Sequence, residues 1–374
     1  MKIGLVCPYN LSRPGGVQEI LLALRKELQK RGHTVKIIAP RAAGAENDED
    51  TIYIGRSTEW NTPMRTKNDF SMATDLEVLD EMLEREQFDV LNFHEPWIPF
   101  LSVQLASRAN KMEGGPTTIA TFHAKLPDTI TTRVLEQVIY PYTKPALKYF
   151  DAMTAVSTAA AEYVGSMTDR DITIVPNGIE LYKYHSPRTR ASRSKLKTIL
   201  YIGRLEKRKG VRYLLEAYGL LSSKRHDVRL LIAGDGDQRD KLERIVETEN
   251  IPRVEFLGFV SEQDKRALLA HCDVFCSPAI YGESFGLVLL EAMASRAVTV
   301  AGNNPGYASV LQELGRIGLV TPEDTVDFAN RLDVLLDDEK LRAMWQEWAD
   351  TYIQQFDYPN IADQYEAVYE KTRK

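Results

Sequence analysis

Glu283 and Glu291, in the string GESFGLVLLEA, carry the strongest chemical signal in the sequence. The stretch from Ser277 to Ala292 follows an apolar run, DVFCSP, that reads as a buried strand and stops at Pro278. A turn holding Gly282 and Gly286 comes next, and a helical run starts at Leu287. A helix N-terminus presents backbone N–H groups without intrahelical partners, which favour an anion such as phosphate. Glycines let a ligand come close to the main chain. Two carboxylates beside such a site suit a ligand with hydroxyls next to its phosphates, because an ionised carboxylate only accepts hydrogen bonds. A sugar nucleotide has that character, with pyrophosphate between a ribose and a hexose. A plain strand–turn–helix with two surface glutamates has the same local pattern, and cations elsewhere decide between the two.

Those cations stand in GRLEKRKG, after the predicted strand from Lys197 to Arg204. Arg204, Lys207, Arg208 and Lys209 fall between that strand and a helix whose Val211, Leu214, Leu215 and Tyr218 share one face. Fixed cations at such a junction suit a pyrophosphate; Lys207 and Arg208 also read as members of a solvated basic turn. His123 ends the strand TTIATFH, and ligands collect at the carboxyl ends of strands in open α/β sheets. A hydrogen-bonded histidine at a sheet edge is an equal reading for it.

The elements that must position these residues come in two similar sets. Lys2 to Cys7 reads as a strand. The loop PYNLSRPGG leads to a helix with Val17, Ile20, Leu21, Leu24 and Leu28 on one face, and Thr34 to Pro40 is the next strand. This is a βαβ opening with a glycine turn but no G-x-G-x-x-G string. Residues Arg41 to Ser71 look irregular and polar, with Trp60 and Asn61 standing out. The predicted helix from about Met72 to Glu86 is acidic, with Asp75, Glu77, Asp80, Glu81, Glu84 and Glu86. FDVLNFHEP, DAMTAVS and ITIVPNG supply further strands, and FDVLNFHEP ends in a His-Glu-Pro turn. Ile179 to Lys197 reads as a linker, after which strand, glycine turn and amphipathic helix begin again. VRLLIAGDG, RVEFLGFVS, AVTVAG and IGLVTPED continue the alternation, and Trp345 and Trp348 share a late helix as core residues. The expected fold is α/β, two parallel sheets each wrapped by helices.

The chain of 374 residues is long enough for two cores, and its formal net charge of −6 leaves no broad basic surface for nucleic acid. Cys7, Cys272 and Cys276 show no staple pattern; Cys272 and Cys276 with the adjacent His271 leave a metal site as an alternative, but buried apolar thiols in a reducing cytosol are the favoured reading. The N-terminal MKIGLVCPY is too short in its apolar part for a signal peptide, and no run approaches the ~20 residues that span a bilayer. Any membrane contact is therefore expected to be peripheral.

These strings together are recognisable. Cys7 to Val17, FDVLNFHEP, ATFH, VPNGIE, the GR-x4-KG of Gly203 to Gly210, AGDGD and GESFGLVLLEAMA resemble, in type and order, the family-4-type retaining glycosyltransferases of GT-B architecture. The likeness is strongest to phosphatidyl-myo-inositol mannosyltransferases and runs almost end to end, with the Glu-x7-Glu pair its most specific element. It implies two Rossmann-like domains facing a central cleft, residues 1–178 on the acceptor side and 179–357 binding the nucleotide sugar. A final helix, 358–374, returns to the first domain.

The resemblance also implies roles. Backbone near Gly16 approaches the donor phosphate, Arg204 and Lys209 hold the pyrophosphate, and Glu283 contacts hydroxyls of the transferred sugar. Phe285, Gly286 and Leu287 line sugar and phosphate, Glu291 accepts from the ribose, and Val260, Glu262 and Lys265 lie at the base. His123 sits over the sugar; Tyr9, Trp60 and Asn61 are the acceptor-side candidates. No metal is expected, Arg204 and Lys209 replacing one. The implied donor is GDP-mannose, the acceptor an inositol phospholipid or related polyol, and the location cytoplasmic, peripheral at the inner face of the plasma membrane.

The acidic helix departs from lipid-acceptor relatives, whose matching helix is basic; anionic lipid is expected to repel it. UDP-glucose or another donor with a soluble or polysaccharide-precursor acceptor is an alternative, and a non-catalytic GT-B partner is a third. Glu283 as the nucleophile of a double displacement also stays open.

Overall fold

The computed structural model describes the chain outside residues 13–14, 42–47, 62–66, 72–74, 97–100, 124–140, 142 and 185–195, with side chains also excepted at 56–61 and 67–71. The chain divides into two compact units, Met1–Gly178 with Tyr358–Lys374, and Ile179–Asp357.

The first unit runs β1 (Lys2–Val6), α1 (Gly16–Lys30), β2 (Thr34–Arg41), β3 (Thr51–Asn61), β4 (Lys67–Ser71), α2 (Leu76–Glu86), β5 (Val90–His94), α3 (Leu101–Lys111), β6 (Thr117–Phe122), β7 (Ala152–Ala155), α4 (Thr158–Gly165) and β8 (Thr173–Ile174). Its sheet has the order β4-β3-β2-β1-β5-β6-β7-β8, parallel except for the antiparallel β3–β4 pair. β1, β5 and β6 are buried almost throughout, as strands covered on both faces must be.

The second unit runs β9 (Lys197–Ile202), α5 (Val211–Lys224), β10 (Val228–Ala233), α6 (Arg239–Thr248), β11 (Val254–Gly258), α7 (Glu262–His271), β12 (Val274–Ser277), α8 (Leu287–Ala294), β13 (Val298–Gly302), α9 (Pro305–Val310), β14 (Leu319–Val320), α10 (Thr325–Asp337) and α11 (Glu339–Tyr352). Its order, β11-β10-β9-β12-β13-β14, is all parallel. In both sheets the winding reverses beside the first strand, next to β1 in one and β9 in the other. That reversal marks the doubly wound α/β fold.

The last helix, α12 (Tyr358–Thr372), belongs to the first unit. Its Tyr358, Ile361, Ala362, Tyr365, Val368 and Tyr369 are buried in the core that also holds Ile3, Leu5, Leu21, Leu24 and Leu28. Polar contacts fix its register. Arg31, at the end of α1, reaches Asp363 and Glu366, each at 2.5 Å, and Asn92 donates to the Tyr369 hydroxyl at 2.9 Å.

Several sequence expectations need correction. Among its described residues, the segment from Arg41 to Ser71 is not irregular: β3 pairs antiparallel with β4, Trp60 opposite Asn68 and Asn61 opposite Lys67. Its Thr, Ile, Tyr and Trp have high strand propensity, and the free edge of β2 supplies the partner. α2 starts at Leu76, with the Asp75 side chain capping it by accepting from Glu77 N; residues 72–74 of the expected helix lie outside the described ones. Nor is α2 a uniformly acidic face. Glu86 is 5% exposed and bound by Lys2 at 3.0 Å and Lys36 at 2.9 Å, while Asp80 accepts from Arg108 Nε at 2.6 Å.

Trp345 is core, but Trp348 is half-buried and donates to Glu313 at 2.9 Å. The start of the expected linker is built into the second unit, because Ile179 N donates to Phe356 O at 2.8 Å and Leu181–Lys183 form a 3-10 turn. All three cysteines are free and buried. Among the described residues no helix is long and apolar enough to cross a membrane.

Candidate active site

Loops leaving the carboxyl ends of β9 and β12 must meet, because those strands pair where the winding of the second sheet reverses. One loop carries Arg204 to Lys209 and the other carries Gly282 to Gly286. Ile280 N donates to Arg208 O at 2.9 Å, so the loops share a main-chain bond. Gly210 allows it: its φ is 70°, and a Cβ there would lie 2.0 Å from Pro278 O.

Glu283 is gripped where they meet. Lys209 Nζ lies 2.7 Å and Arg208 Nη1 2.5 Å from its Oε1. Arg208 also donates from Nη1 to Gly282 O at 3.2 Å and from Nε to Glu206 at 2.8 Å. Arg204, whose side chain is 54% exposed, completes the row by pairing with Glu206 at 2.6 Å. Arg208 is therefore not part of a solvated turn; its side chain is mostly buried, while Lys207 is exposed. Three cations face two carboxylates here. Burial pushes the Glu283 carboxyl up, but Lys209 and Arg208 outweigh it and hold it below its ordinary range. Burial, with Arg208 and Arg204 nearby, lowers Lys209 in spite of Glu283.

The balance reverses one helix turn on. α8 begins after Gly286, whose φ of 108° and approach to the Tyr307 ring, 2.7 Å from a built Cβ, exclude a side chain. No side chain caps the helix at this position. Phe285 is buried edge-on against Phe356 at 5.9 Å, and Leu287 is half-buried. Glu291 Oε1 receives Lys265 Nζ at 2.8 Å and the Tyr184 hydroxyl at 3.1 Å. Lys265 also pairs with Glu262 at 2.9 Å. One lysine thus serves two carboxylates. Burial outweighs Lys265 and raises the Glu291 carboxyl; burial would lower Lys265, but Glu291 and Glu262 outweigh it and raise it. Val260 instead lines a groove of about 440 Å³ with Leu257, Asp264, Leu268 and His271.

In the first unit the sites again follow strand ends. Tyr9, half-buried, comes after β1, and burial and Glu95 push its hydroxyl up. Gly16 opens α1 behind Gly15, which offers no side-chain cap. His123, after β6, places Nε2 2.7 Å from Nδ1 of His94, the last residue of β5. His123 N donates to the buried Glu95 at 2.8 Å. Burial brings His123 down to about 4 against the opposing pull of Asn177, and burial with His123 nearby takes His94 well below 6.5. Both rings are neutral near pH 7. Trp60 and Asn61 lie in β3 by backbone, and their side chains are outside the described residues.

Tyr184 and His94 are the site-forming residues that sequence reasoning missed; Arg208 it left open between a pyrophosphate clamp and a solvated turn. Tyr184 carried no local signal, since it stands in an apparent linker. His94 ends a strand beside that of His123, and the pairing of β5 with β6 was the available clue. Among the described residues no group of three or more His, Cys, Asp or Glu is placed to hold a metal ion.

Residues 14–183 match the family described as Glycosyltransferase Family 4, and residues 185–351 match Glycosyl transferases group 1. The chain belongs to the family-4-type GT-B glycosyltransferases and is a hexosyltransferase. It is 32% identical over 378 residues to the phosphatidyl-myo-inositol mannosyltransferase of Mycobacterium leprae, covering 99% of this chain and 96% of that one. Among solved structures it is similar to sucrose-phosphate synthase from Thermosynechococcus elongatus, with a TM-score of 0.75 at 19% identity over 99% of this chain and 98% of that one. It is likewise similar to Anabaena Alr3699/HepE in complex with UDP-glucose, with a TM-score of 0.73 at 18% identity over 99% and 100% of the two chains.

Proposed function

We propose that the protein is a retaining mannosyltransferase that moves mannose from GDP-mannose to an inositol-phospholipid-type acceptor. The observation that carries this is the opposed charge balance in one unit: cations in excess around Glu283 and carboxylates in excess around Glu291. A nucleoside diphosphate sugar matches both ends. Its phosphates suit Arg204 and Lys209 with the uncapped start of α8, and its hydroxyls suit Glu283 on the sugar and Glu291 on the ribose. The name of the Mycobacterium leprae relative supports the sugar and acceptor. Gly16 in the first unit is assigned to the donor phosphate, and Tyr9, Trp60 and Asn61 to the acceptor.

In the proposed step the anomeric carbon–oxygen bond breaks and its electron pair goes to the β-phosphate oxygen. Arg204, Arg208, Lys209 and backbone N–H groups stabilise that charge, which develops only as the bond breaks. The acceptor oxygen bonds the anomeric carbon from the same face, and its proton passes to the departing phosphate. Configuration is thereby retained without a dedicated base. The neutral His123 fits beside a sugar ring that is gaining positive charge, because it adds no repulsion. Glu283 is a poor nucleophile while two cations hold one of its oxygens, which favours its role as a hydroxyl acceptor over a double displacement. The cations supply the positive charge the leaving group needs, so turnover is expected to be metal-independent. Peripheral membrane contact fits exposed Leu76 and Val78 at the start of α2 and the internal pairing of Asp80 and Glu86.

The test is a donor and acceptor panel with purified protein. GDP-mannose with phosphatidylinositol vesicles is expected to give a mannolipid by mass spectrometry, with and without chelator. Turnover of UDP-glucose alone, or of a soluble acceptor alone, would replace this donor–acceptor pair. No turnover of any nucleotide sugar would end the enzymatic reading.

A further inference from the structure

Tyr184 stands just past the 3-10 turn Leu181–Lys183, in the segment that opens the second unit. Its hydroxyl donates to Glu291 Oε1 at 3.1 Å, and Lys265 Nζ reaches the same oxygen at 2.8 Å. The two donors come from different parts of the chain, one before β9 and one on α7. Their convergence on a single atom stops the carboxylate from rotating about its terminal bond, a broad torsion when unrestrained. Burial and the neighbouring Glu291 push the phenol well above its ordinary value, so it remains a neutral donor. Neutrality matters. A second cation here would offset the negative charge of Glu291 and weaken it as an acceptor, whereas a phenol fixes the group and leaves its charge.

We propose that Tyr184 is a positioning residue for nucleotide selection: by pinning one oxygen of Glu291 it presents the other to the vicinal hydroxyls of a ribose, so that the site discriminates ribonucleotides from 2′-deoxyribonucleotides. This rests on the assignment of Glu291 to the ribose made above. A site built around a hydroxyl rejects the analogue that lacks it, because its own polar group is then left without a partner. Tyr184 makes that rejection sharp by denying Glu291 the freedom to turn elsewhere.

The experiment is calorimetric titration of the full-length protein with GDP and 2′-deoxy-GDP, with UDP and 2′-deoxy-UDP in parallel so that base choice does not decide the result. Wild type is expected to favour the ribo form by about tenfold or more. Tyr184→Phe is expected to shrink that ratio to about threefold or less, through weaker binding of the ribo form alone, at a melting temperature close to wild type. A Tyr184→Phe protein that keeps the full ratio, or that loses both forms equally, overturns the proposal. Glu291→Ala separates the two levels. If it too keeps the ratio, the ribose assignment itself fails; if it erases the ratio while Tyr184→Phe does not, only the role of Tyr184 fails. Absence of binding by all four nucleotides overturns both.

Discussion

Arg208, not Arg204, is the arginine in direct contact with Glu283: its Nη1 lies 2.5 Å from Glu283 Oε1, while Arg204 pairs with Glu206 one step further along the row. The guanidinium joins both loops, since it also donates to Gly282 O at 3.2 Å.

Arg208 should therefore matter for turnover as well as for charge. Arg208→Ala is expected to lower kcat/KM about 10- to 100-fold, or ~1.4–2.7 kcal/mol. Arg208→Lys should recover only part of it, because a lysine cannot span Glu206, Glu283 and the Gly282 carbonyl together. Steady-state kinetics with the active donor checks this; a change within twofold for Arg208→Ala would make its contacts incidental.

The His94–His123 pair has a signed pH signature. Burial holds His123 at about 4 against an ordinary 6.5, so between those values the unfolded chain binds the proton and the folded one does not. Stability from this group is complete above about 6.5 and is lost as pH falls towards 4, at ~1.4 kcal/mol per pH unit. Urea titrations from pH 7 to 4.5 should show this slope in wild type and a shallower one in His123→Asn. Nitrogen-15 chemical shifts should report neutral rings down to pH 5, and titration of His123 near 6.5 would contradict the buried geometry.

Glu86 supplies a separate acid transition. Burial alone would raise its carboxyl, but Lys36, Lys2 and Arg85 hold it at about 2. Its contribution is present above the ordinary value of 4.5 and is lost as pH falls from there towards 2. Glu86→Gln should cost roughly 1–3 kcal/mol at pH 7 and flatten the acid limb of stability below pH 4.5. Unfolding free energies at pH 6 and pH 3 decide it; equal acid loss in both proteins would place the transition elsewhere.

Tyr369→Phe tests how α12 is held. The Asn92 amide that donates to this hydroxyl is fully buried, and its own oxygen accepts from Thr121 at 2.6 Å. Loss of the hydroxyl leaves a buried donor unpaired, expected to cost ~1–3 kcal/mol in urea unfolding. Because Tyr365 of the same helix packs 6.3 Å from the His94 ring, the variant should also shift the imidazole resonances. A variant as stable as wild type would mean the bond adds nothing net.

Much of this was legible in the order of residues. Apolar runs broken by glycine turns and amphipathic helices define a parallel sheet twice over, because both strand and helix announce themselves by local periodicity. Glu283 and Glu291 were legible for the same reason: a turn and one short helix set their relation. The β3–β4 pairing was not legible, since the sequence from Thr51 to Ser71 mixes polar and apolar residues without strict alternation and only the edge of β2 selects its partner.

Local spacing thus determined the elements of this protein other than β3 and β4, and its two carboxylates. Tertiary structure alone decided which distant groups those carboxylates meet: Arg208 and Lys209 at Glu283, Lys265 and Tyr184 at Glu291, His94 at His123, and α12 on α1. The physical reason is strand order. A sheet that winds outward from β9 in both directions brings the ends of β9 and β12 together across a long stretch of sequence, and no periodicity within either segment encodes that neighbour.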